Sequence, residues 1–232
     1  MNNEIRTANF TSSNIFKLMT TGKGAHGFGE KALTYIQEKR IESRIGRGLD
    51  NGAYSRDMAW GEFVEARVFD LLGLDYKIVS KDTFKHPLIS NWVGSPDLLT
   101  KDSVGDIKCY QPKNFALYSD ALLTGDLDLI KKEFPKEYWQ LVSNAIICDK
   151  KYAEAVVYLP YKSELNDIRI MADNYEGVDQ WRYRFIIEAD DRELAHQIEG
   201  LYYKNLNQLK FEVPQQDIDL LTERVKLAIT LL

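Results

Sequence analysis

Two acids and a lysine stand close together near the middle of this sequence. Asp97 directly follows a proline, Asp106 comes nine residues later, and Lys108 follows after one intervening residue. Polar turn residues within this stretch predict a hairpin over 98–108. Because side chains alternate between the two faces of a strand, Asp106 and Lys108 would share one face, while Ile107 would point into the core. The hairpin therefore predicts that two carboxylates and an ammonium group converge on one point.

Such a group of side chains is suited to the hydrolysis of a phosphodiester. Magnesium and similar hard cations take carboxylate oxygens, carbonyls and water as ligands, and they neutralise the charge of an in-line transition state. A lysine beside the cation can orient or deprotonate the attacking water. Short motifs also arise by chance, so an ordinary polar hairpin with solvated side chains is the alternative.

The composition is typical of a soluble globular protein. The 232 residues are 44% hydrophobic and 28% charged. They predict one α/β domain over 1–232, with helices around a small mixed sheet and additional helices at both ends. The sequence contains no run of about 18 apolar residues, and its start lacks the pattern of a signal peptide. We therefore expect a cytoplasmic protein that makes no membrane contact.

The numbers of cysteine and histidine residues and the net charge limit the kinds of metal site and nucleic-acid contact that this chain can have. Cys109 and Cys148 are too few for a disulfide framework, a four-cysteine zinc site or an iron–sulfur cluster, and the three histidines are scattered. A metal site should therefore be rich in oxygen ligands. The net charge of −5 excludes a generally basic coat, although residues 1–60 hold nine Lys and Arg against six acids. That first quarter is where a phosphate backbone would find partners.

Hydrophobic periodicity gives a coarse order of helices and strands. The predicted helices begin after Thr11 and then cover about 30–45, 55–72, 138–147, 191–209 and 217–232, with a mixture of helix and loop at 113–132. The predicted strands cover 75–80, 84–93, the hairpin, 153–161 and 183–188. Apolar neighbours predict core positions for Trp60, Trp92 and Trp139, whereas the arginines beside Trp181 and Tyr183 indicate a surface site.

The order helix, acidic hairpin, helix and strand resembles the PD-(D/E)xK nuclease superfamily. The chain is similar, over most of its length, to the phage-type exonucleases of the lambda exonuclease and YqaJ group. The segments that carry this resemblance are Arg6 to Ser13, Trp60-Gly61-Glu62-Phe63-Val64-Glu65, Ser95-Pro96-Asp97, Asp106-Ile107-Lys108 and Tyr138-Trp139-Gln140-Leu141-Val142-Ser143. Their shared order makes the set specific, although each segment alone is weak.

The resemblance implies a set of catalytic residues. Asp97 and Asp106 would bind the metal, with the main-chain carbonyl of Ile107 as a further oxygen ligand. Glu65 would approach the same ions from the neighbouring helix, directly or through water. Lys108 would act on the nucleophilic water. The implied cofactor is Mg²⁺, for which Mn²⁺ should substitute.

Two further parts of the site leave alternatives open. Glu62 competes with Glu65, since residues three apart share roughly one helix face, but the Trp-Gly-x-x-x-Glu spacing favours Glu65. The resemblance also implies a pocket for a DNA 5′-phosphate at Arg6, Ser13 and Gln140. Ser13 could instead cap a helix, and Gln140 could instead satisfy backbone groups.

The sequence departs from the pattern of the group at three positions. Asp106 stands where the group commonly has Glu, which shortens the reach of the side chain by one methylene. Ser143 replaces the second Gln of the helix motif, and Ala8 replaces a Gly after the opening Arg. The departures affect the expected recognition of the DNA end more than the hydrolysis.

The resemblance implies a magnesium-dependent exonuclease that degrades one strand of linear duplex DNA, 5′ to 3′, in phage-type recombination. It further implies a ring-shaped homotrimer, a single-strand annealing protein as partner, and a phage or prophage origin in a bacterial host. Two alternatives remain. One is a structure- or sequence-selective endonuclease on the same core, and the other is a catalytically silent module that binds DNA ends.

Overall fold

The computed structural model describes residues 3–49, 55–73, 76–79 and 82–232. The α-helices in these ranges are α1 (Asn3–Arg6), α2 (Glu30–Ile45), α3 (Arg56–Leu72), α4 (Pro112–Thr124), α5 (Leu127–Glu133), α6 (Pro135–Ile147), α7 (Leu165–Asp173), α8 (Arg184–Glu188) and α9 (Gln215–Ile229). The strands are β1 (Phe10–Thr11), β2 (Lys77–Ile78), β3 (Phe84–Lys85), β4 (Trp92–Gly94), β5 (Leu98–Leu99), β6 (Ser103–Cys109), β7 (Tyr152–Tyr158) and β8 (Leu206–Glu212).

Among the described residues, the strands form two mixed sheets. The larger has the order β2-β5-β6-β7-β8, in which β6 and β7 are parallel and the other neighbours are antiparallel. The smaller has the order β1-β4-β3, with β1 parallel to β4. The predicted α/β class with a mixed sheet is confirmed, and the smaller sheet is an addition that the sequence pattern did not predict.

The acidic hairpin forms as predicted. Leu98 pairs with Gly105 and Leu99 pairs with Val104 in the antiparallel β5–β6 ladder. Ile107 is buried on the core side, as alternation along the strand requires. Strand β7 lies beside β6 over seven residues and is apolar along most of its length, which suits a strand with neighbours on both edges.

Helix α6 lies at the centre of the core. It packs against both β6 and β7 on one side and against a 3₁₀ helix, Ser12–Met19, on the other. Trp60, Trp92 and Trp139 are all buried, so the prediction that these three rings belong to the core is confirmed.

Helix α3 is positioned by a cap and by a glycine. The side chain of Ser55 accepts a hydrogen bond from the backbone of Met58 and so caps the first turn. At Gly61 the helix lies so close to β6 that an added Cβ would be 3.2 Å from the carbonyl oxygen of Cys109. The glycine of the Trp-Gly motif therefore allows the helix to rest directly on the strand that carries Asp106.

Several predicted elements differ from the structure. The predicted strand over 183–188 is the helix α8, because Tyr183 and Ile186 face the core at a spacing of three. The predicted helix over 191–209 is wrong: a short 3₁₀ helix, Asp191–Glu193, precedes an irregular segment, and β8 then pairs with β7.

Other differences are smaller. The predicted strand over 84–93 is split into β3 and β4, and the predicted strand over 75–80 is only β2, with residues 75 and 80 outside the described ranges. Residues 3–11 contain α1 and β1, two short elements that the hydrophobic periodicity did not predict.

In the described ranges, no helix combines the length and the apolar composition that crossing a bilayer requires.

Candidate active site

Asp97 directly precedes β5 and extends its pairing with β6 by one residue. Its backbone N–H donates to the Gly105 carbonyl at 3.0 Å, and its Oδ2 accepts from the Ile107 N–H at 2.7 Å. The carboxylate therefore accepts the hydrogen bond from the Ile107 N–H that a main-chain carbonyl of a longer β5 would otherwise accept. Because the N–H and the C=O of one strand residue point to the same edge, the Ile107 carbonyl faces the side where Asp97 lies.

Asp106 and Lys108 share a face of β6, as the sequence predicted, and their side chains form a direct ion pair. Gln140 approaches this pair from α6. Its amide nitrogen donates to Oδ1 of Asp106, and its amide oxygen accepts from Nζ of Lys108 at 3.4 Å. Asp106 is almost completely buried. A carboxylate, an ammonium group and an amide thus form one hydrogen-bonded group that is largely buried.

Glu65 belongs to the same electrostatic group, whereas Glu62 has a different partner. Burial raises the pKa of Glu65 to about 7; the charge of Asp106 adds to the rise, and Lys108 opposes it. Glu62 lies one turn earlier and pairs with Arg182 at 3.3 Å. Of the two candidate helix acids, Glu65 is therefore the one that lies against the acidic hairpin.

We call Glu65, Asp97, Asp106 and Lys108 the acid cluster; it carries more negative than positive charge. Burial raises the pKa of Asp97 well above its usual range, and the charges of Asp106 and Glu65 add to this rise. Burial would lower the pKa of Lys108, but Asp106 and Asp97 outweigh it, so this pKa is raised. Lys108 is therefore a firmly protonated ammonium, and Glu65 and Asp97 hold protons more tightly than usual, which an added cation would displace.

The donors of the acid cluster fit a hard divalent cation in their chemistry. They are carboxylate oxygens with surplus negative charge, next to a main-chain carbonyl. Within the described ranges, no three His, Cys, Asp or Glu side chains already form a metal cage. The reason is local: Lys108 and Gln140 occupy the oxygens of Asp106, and Ile107 occupies one oxygen of Asp97. A cation would take the place that the ammonium group holds against Asp106.

A cavity lies beside the acid cluster. It has a volume of about 60 Å³ and is lined by Arg6, Thr11, Ser12, Ser13, Val93, Gly94, Ser95 and Gln140. We call it the Arg6 cavity. It forms because β1 pairs in parallel with β4, which brings the N-terminal segment next to residues 93–95. Three residues predicted to bind a phosphate, Arg6, Ser13 and Gln140, therefore line one cavity.

The hydrogen bonds of Ser13 and Gln140 bear on the non-catalytic alternatives for these two residues. The cap position of the 3₁₀ helix belongs to Thr11, and the hydroxyl of Ser13 lies 3.4 Å from the Thr11 hydroxyl. Ser13 is therefore not the capping residue. Gln140 binds the side chains of Asp106 and Lys108, so the interpretation of Gln140 as a partner of backbone groups is wrong.

Ser143 has a structural role that explains its departure from the motif. Its hydroxyl accepts from Nε1 of Trp92 at 2.8 Å and lies 2.7 Å from the hydroxyl of Ser12. All three side chains are buried, so a larger amide at this position would disrupt the contact between α6 and β4.

Comparison with known proteins gives structural neighbours only. No protein-family model matches the chain, and no curated protein matches it. The alkaline exonuclease LHK-Exo from Laribacter hongkongensis is 16% identical with a TM-score of 0.61, covering 97% of this chain and 88% of that one. The same enzyme in complex with dAMP gives 16% and 0.63, covering 98% and 89%. A phage-related exonuclease from Haemophilus somnus 129PT gives 15% and 0.62, covering 96% and 92%.

This chain has the fold of the phage-type alkaline exonucleases. The overlap covers nearly the whole length of both chains, so the shared part is the entire exonuclease fold rather than a small motif. At this level of identity the comparison establishes the architecture, and the roles of individual residues rest on their geometry.

The structure adds residues to which the sequence gave no role. Thr11, Ser12 and Ser95 line the Arg6 cavity of the exonuclease fold, and the Ser95 hydroxyl accepts from the Arg6 guanidinium at 2.9 Å. The sequence could have indicated these residues, because the Thr-Ser-Ser and Ser-Pro-Asp motifs place hydroxyl groups directly beside the candidate ligands.

Glu137 and Tyr110 are another pair that the sequence did not single out. The Tyr110 hydroxyl donates to Glu137 at 2.6 Å, and the charge of Glu137 contributes to the raised pKa of Lys108. Glu137 lies one turn before Gln140 on α6, so helical spacing from Gln140 was the available signal.

Proposed function

We propose that this protein is a metal-dependent deoxyribonuclease that removes nucleotides from the 5′ ends of linear duplex DNA. The observation that carries the proposal is the position of Gln140, which contacts the acid cluster and also lines the Arg6 cavity. A site for hydrolysis and a site for a terminal anion are thus neighbours. The fold shared with known exonucleases supports the same reading.

Asp97, Asp106, the carbonyl of Ile107 and Glu65 would hold Mg²⁺, with Mn²⁺ able to substitute. The bound cation would supply Lewis-acid stabilisation of the phosphodiester and lower the pKa of a water molecule. The protein residues contribute a rigid frame, because Asp97 is fixed by the Ile107 N–H and Asp106 by Gln140.

Lys108 would orient the attacking water. Its raised pKa means that the side chain enters the reaction as an ammonium donor. Once Asp106 is engaged elsewhere, the ammonium retains its hydrogen bond to Gln140 and can donate another to water. Positioning of this kind brings the nucleophile close to its target without requiring the lysine to act first as a base.

The Arg6 cavity would bind the terminal phosphate. A guanidinium gives charge-assisted hydrogen bonds to a phosphate, and the hydroxyl of Ser13 and the amide of Gln140 add neutral partners. Burial lowers the pKa of Arg6, and a buried cation gains strongly from an anionic partner. A cavity of about 60 Å³ suits a small anionic group such as a terminal phosphate. Binding of a terminal group at this place would favour an exonuclease over an endonuclease.

The wider setting of the enzyme is part of the same proposal. A homotrimeric ring around DNA would reconcile the net charge of −5 with a nucleic-acid substrate, since basic residues need only line the channel. A single-strand annealing protein would take up the strand that remains. The proposed setting is phage-type recombination in the cytoplasm of a bacterial host.

Digestion of end-labelled DNA tests the proposal. Linear duplexes carry either a 5′-phosphate or a 5′-hydroxyl, each strand is labelled separately, and closed circular duplex is the control for endonuclease activity. We expect loss of the 5′-phosphorylated strand with magnesium and no digestion without it. Cleavage of the closed circle would identify an endonuclease, and binding of ends without any cleavage would identify a silent module.

A further inference from the structure

Trp181 is the one tryptophan of this chain that faces solvent. Its residue is 76% exposed, whereas the other three, which also lie in described segments, are buried. A large ring with an apolar face and a polar N–H is suited to contact with a partner. The exposed ring is available for a partner outside the folded chain.

The neighbours of Trp181 hold it firmly. Tyr183 is 4% exposed and packs against Phe63 of α3 and Tyr175, with ring centroids 4.9 Å and 5.2 Å away. Tyr183, predicted to lie at the surface, is thus a core residue. Arg182 binds Glu62 at 3.3 Å. The backbone is therefore anchored directly after Trp181, and the indole extends into solvent from a well-packed segment.

A chain of contacts links the segment of the exposed indole to the helix that carries Glu65. Arg182, its neighbour in sequence, contacts Glu62, and Glu62 lies one turn from Glu65 on α3. At the start of the same helix, Asp57 accepts from Gln111 at 3.0 Å, which places this end of α3 just beyond the last residues of β6. Segment 181–185 therefore borders the side of α3 that leads into the acid cluster.

The charges around the indole are nearly balanced. Arg182 pairs with both Glu62 and Asp179 at 3.3 Å, and Arg184 pairs with Glu188 at 3.0 Å. A strongly basic surface would indicate contact with phosphates, and this surface is not strongly basic. What it offers is a flat aromatic face, and such a face binds nucleobases by stacking, independently of sequence.

We propose that Trp181 is a stacking site for an unpaired base of the DNA strand next to the acid cluster. The proposal rests on the proposed nuclease function for its ligand, and it adds a contact to the base where the Arg6 cavity would contact phosphate. Bases inside a duplex are covered by their neighbours, so the ligand is a base of a frayed or single-stranded segment.

Tryptophan fluorescence tests this contact without requiring turnover. With three tryptophans buried, the signal that acrylamide quenches arises mainly from Trp181. In metal-free buffer, saturating single-stranded oligonucleotide should quench the emission of Trp181 and protect it from acrylamide. Trp181→Phe, which lacks the indole, should lose this signal and serves as the blank. An indole that acrylamide still quenches fully when DNA is saturating overturns the proposal.

Affinity measurements provide the second test. Trp181→Ala should weaken oligonucleotide binding by about tenfold, because stacking on one aromatic ring is worth roughly that factor. Trp181→Phe should retain most of the affinity. The dependence of the affinity on salt should stay unchanged, because no phosphate contact is lost. The matched control is Tyr202→Ala, since Tyr202 is also highly exposed; it should bind like the wild type.

The outcomes separate this proposal from the proposed function. Protection of Trp181 by DNA in a protein that cleaves no DNA would support the stacking site and contradict the nuclease. Normal cleavage with unchanged oligonucleotide affinity in Trp181→Ala would overturn the stacking site alone. A change in the oligomeric state of Trp181→Ala, with wild-type DNA affinity, would also overturn the proposal and assign the ring to a protein interface.

Discussion

The acid cluster and the Arg6 cavity share Gln140, yet they are built in different ways. The acid cluster is formed by one hairpin and the helix that rests on it, so its geometry follows from the local pairing of β5 with β6. The Arg6 cavity joins residues from three distant parts of the chain through the short β1–β4 pairing. In the proposed function, the first would supply reactive charge and the second would supply discrimination between ends. Damage to each should therefore have a different signature.

Removing charge from the acid cluster should have the largest effect. Asp106→Asn keeps the size of the side chain, but it removes the negative charge and replaces one of the two acceptor oxygens by an N–H donor, so its grip on a cation is weakened. We expect the digestion rate to fall by at least about a thousandfold on 5′-phosphate and 5′-hydroxyl ends alike. Asp97→Ala and Lys108→Ala should act in the same direction. Asp102→Asn, in the exposed turn of the same hairpin, is the control; equal rates in Asp106→Asn and Asp102→Asn would contradict the assignment.

Gln140→Leu should damage both regions at once. It removes the hydrogen bonds to Asp106 and Lys108 and one polar wall of the cavity. Since hydrogen bonds to charged groups are worth about 1.5–3 kcal/mol each, the loss of two should lower the digestion rate by at least about a hundredfold, together with the preference for phosphorylated ends. Ser143→Ala on the same helix should lower stability but leave the end preference intact. A Gln140→Leu enzyme with normal end preference would show that the cavity does not depend on this residue.

Arg6→Ala should affect only the discrimination between ends. The guanidinium lies in the cavity and away from the reacting groups, so we expect the rate on 5′-phosphate ends to fall by about ten- to a hundredfold. The rate on 5′-hydroxyl ends should change little. Arg40→Ala, on the exposed face of α2, is the matched control. An equal loss on both kinds of end would place Arg6 in the catalytic step.

Gly61→Ala distinguishes helix propensity from packing. In an open helix, Ala would stabilise the protein by about 0.5–1 kcal/mol relative to Gly. Here the new methyl group would press on the Cys109 carbonyl, so we expect the free energy of unfolding to fall by about 1–3 kcal/mol. The activity should fall several-fold as α3 and Glu65 move away from β6. Chemical denaturation measures the first effect, and a stabilised protein would contradict the close approach.

The smallest expected effect is that the stabilisation of the protein by magnesium depends on pH. The pKa of Glu65 rises from 4.5 to about 7 on folding, so the stability that this group contributes is lost as the pH rises through that window. A cation would replace the lost proton, so magnesium should raise the Tm more near about pH 8 than near about pH 5. In Glu65→Gln this difference should shrink. A larger shift at the lower pH would contradict the charge balance.

The sequence predicted the acid cluster better than the cavity, and the reason is physical. Alternation along a strand places Asp106 and Lys108 on one face, so local pattern was sufficient for the hairpin part of the cluster, whereas Glu65 was implied by the resemblance. The walls of the cavity meet through strands of two and three residues, which are too short to leave a pattern. Arg6, Ser13 and Gln140 were therefore predicted by resemblance alone, and Ser95 received no role although it adjoins the motif.

The misassigned segments illustrate the same limit. Tyr183 and Ile186 are apolar among arginines, and a run of five residues fits a strand as well as a short helix. The segment before β8 has apolar residues at helical spacing, yet β8 forms because the open edge of β7 offers a seven-residue ladder. Tertiary pairing overrides local periodicity at β8, and burial of Tyr183 and Ile186 on one side settles the short helix α8.

Calorimetric titration of the protein with Mn²⁺ tests the central claim most directly, because it asks whether the acid cluster holds a divalent cation at all. The wild type should bind the ion with release of protons, since Glu65 and Asp97 hold protons that the cation displaces. Asp106→Asn should lose the binding, whereas Asp102→Asn should retain it. A wild-type protein that binds no Mn²⁺, with or without DNA, would contradict the account.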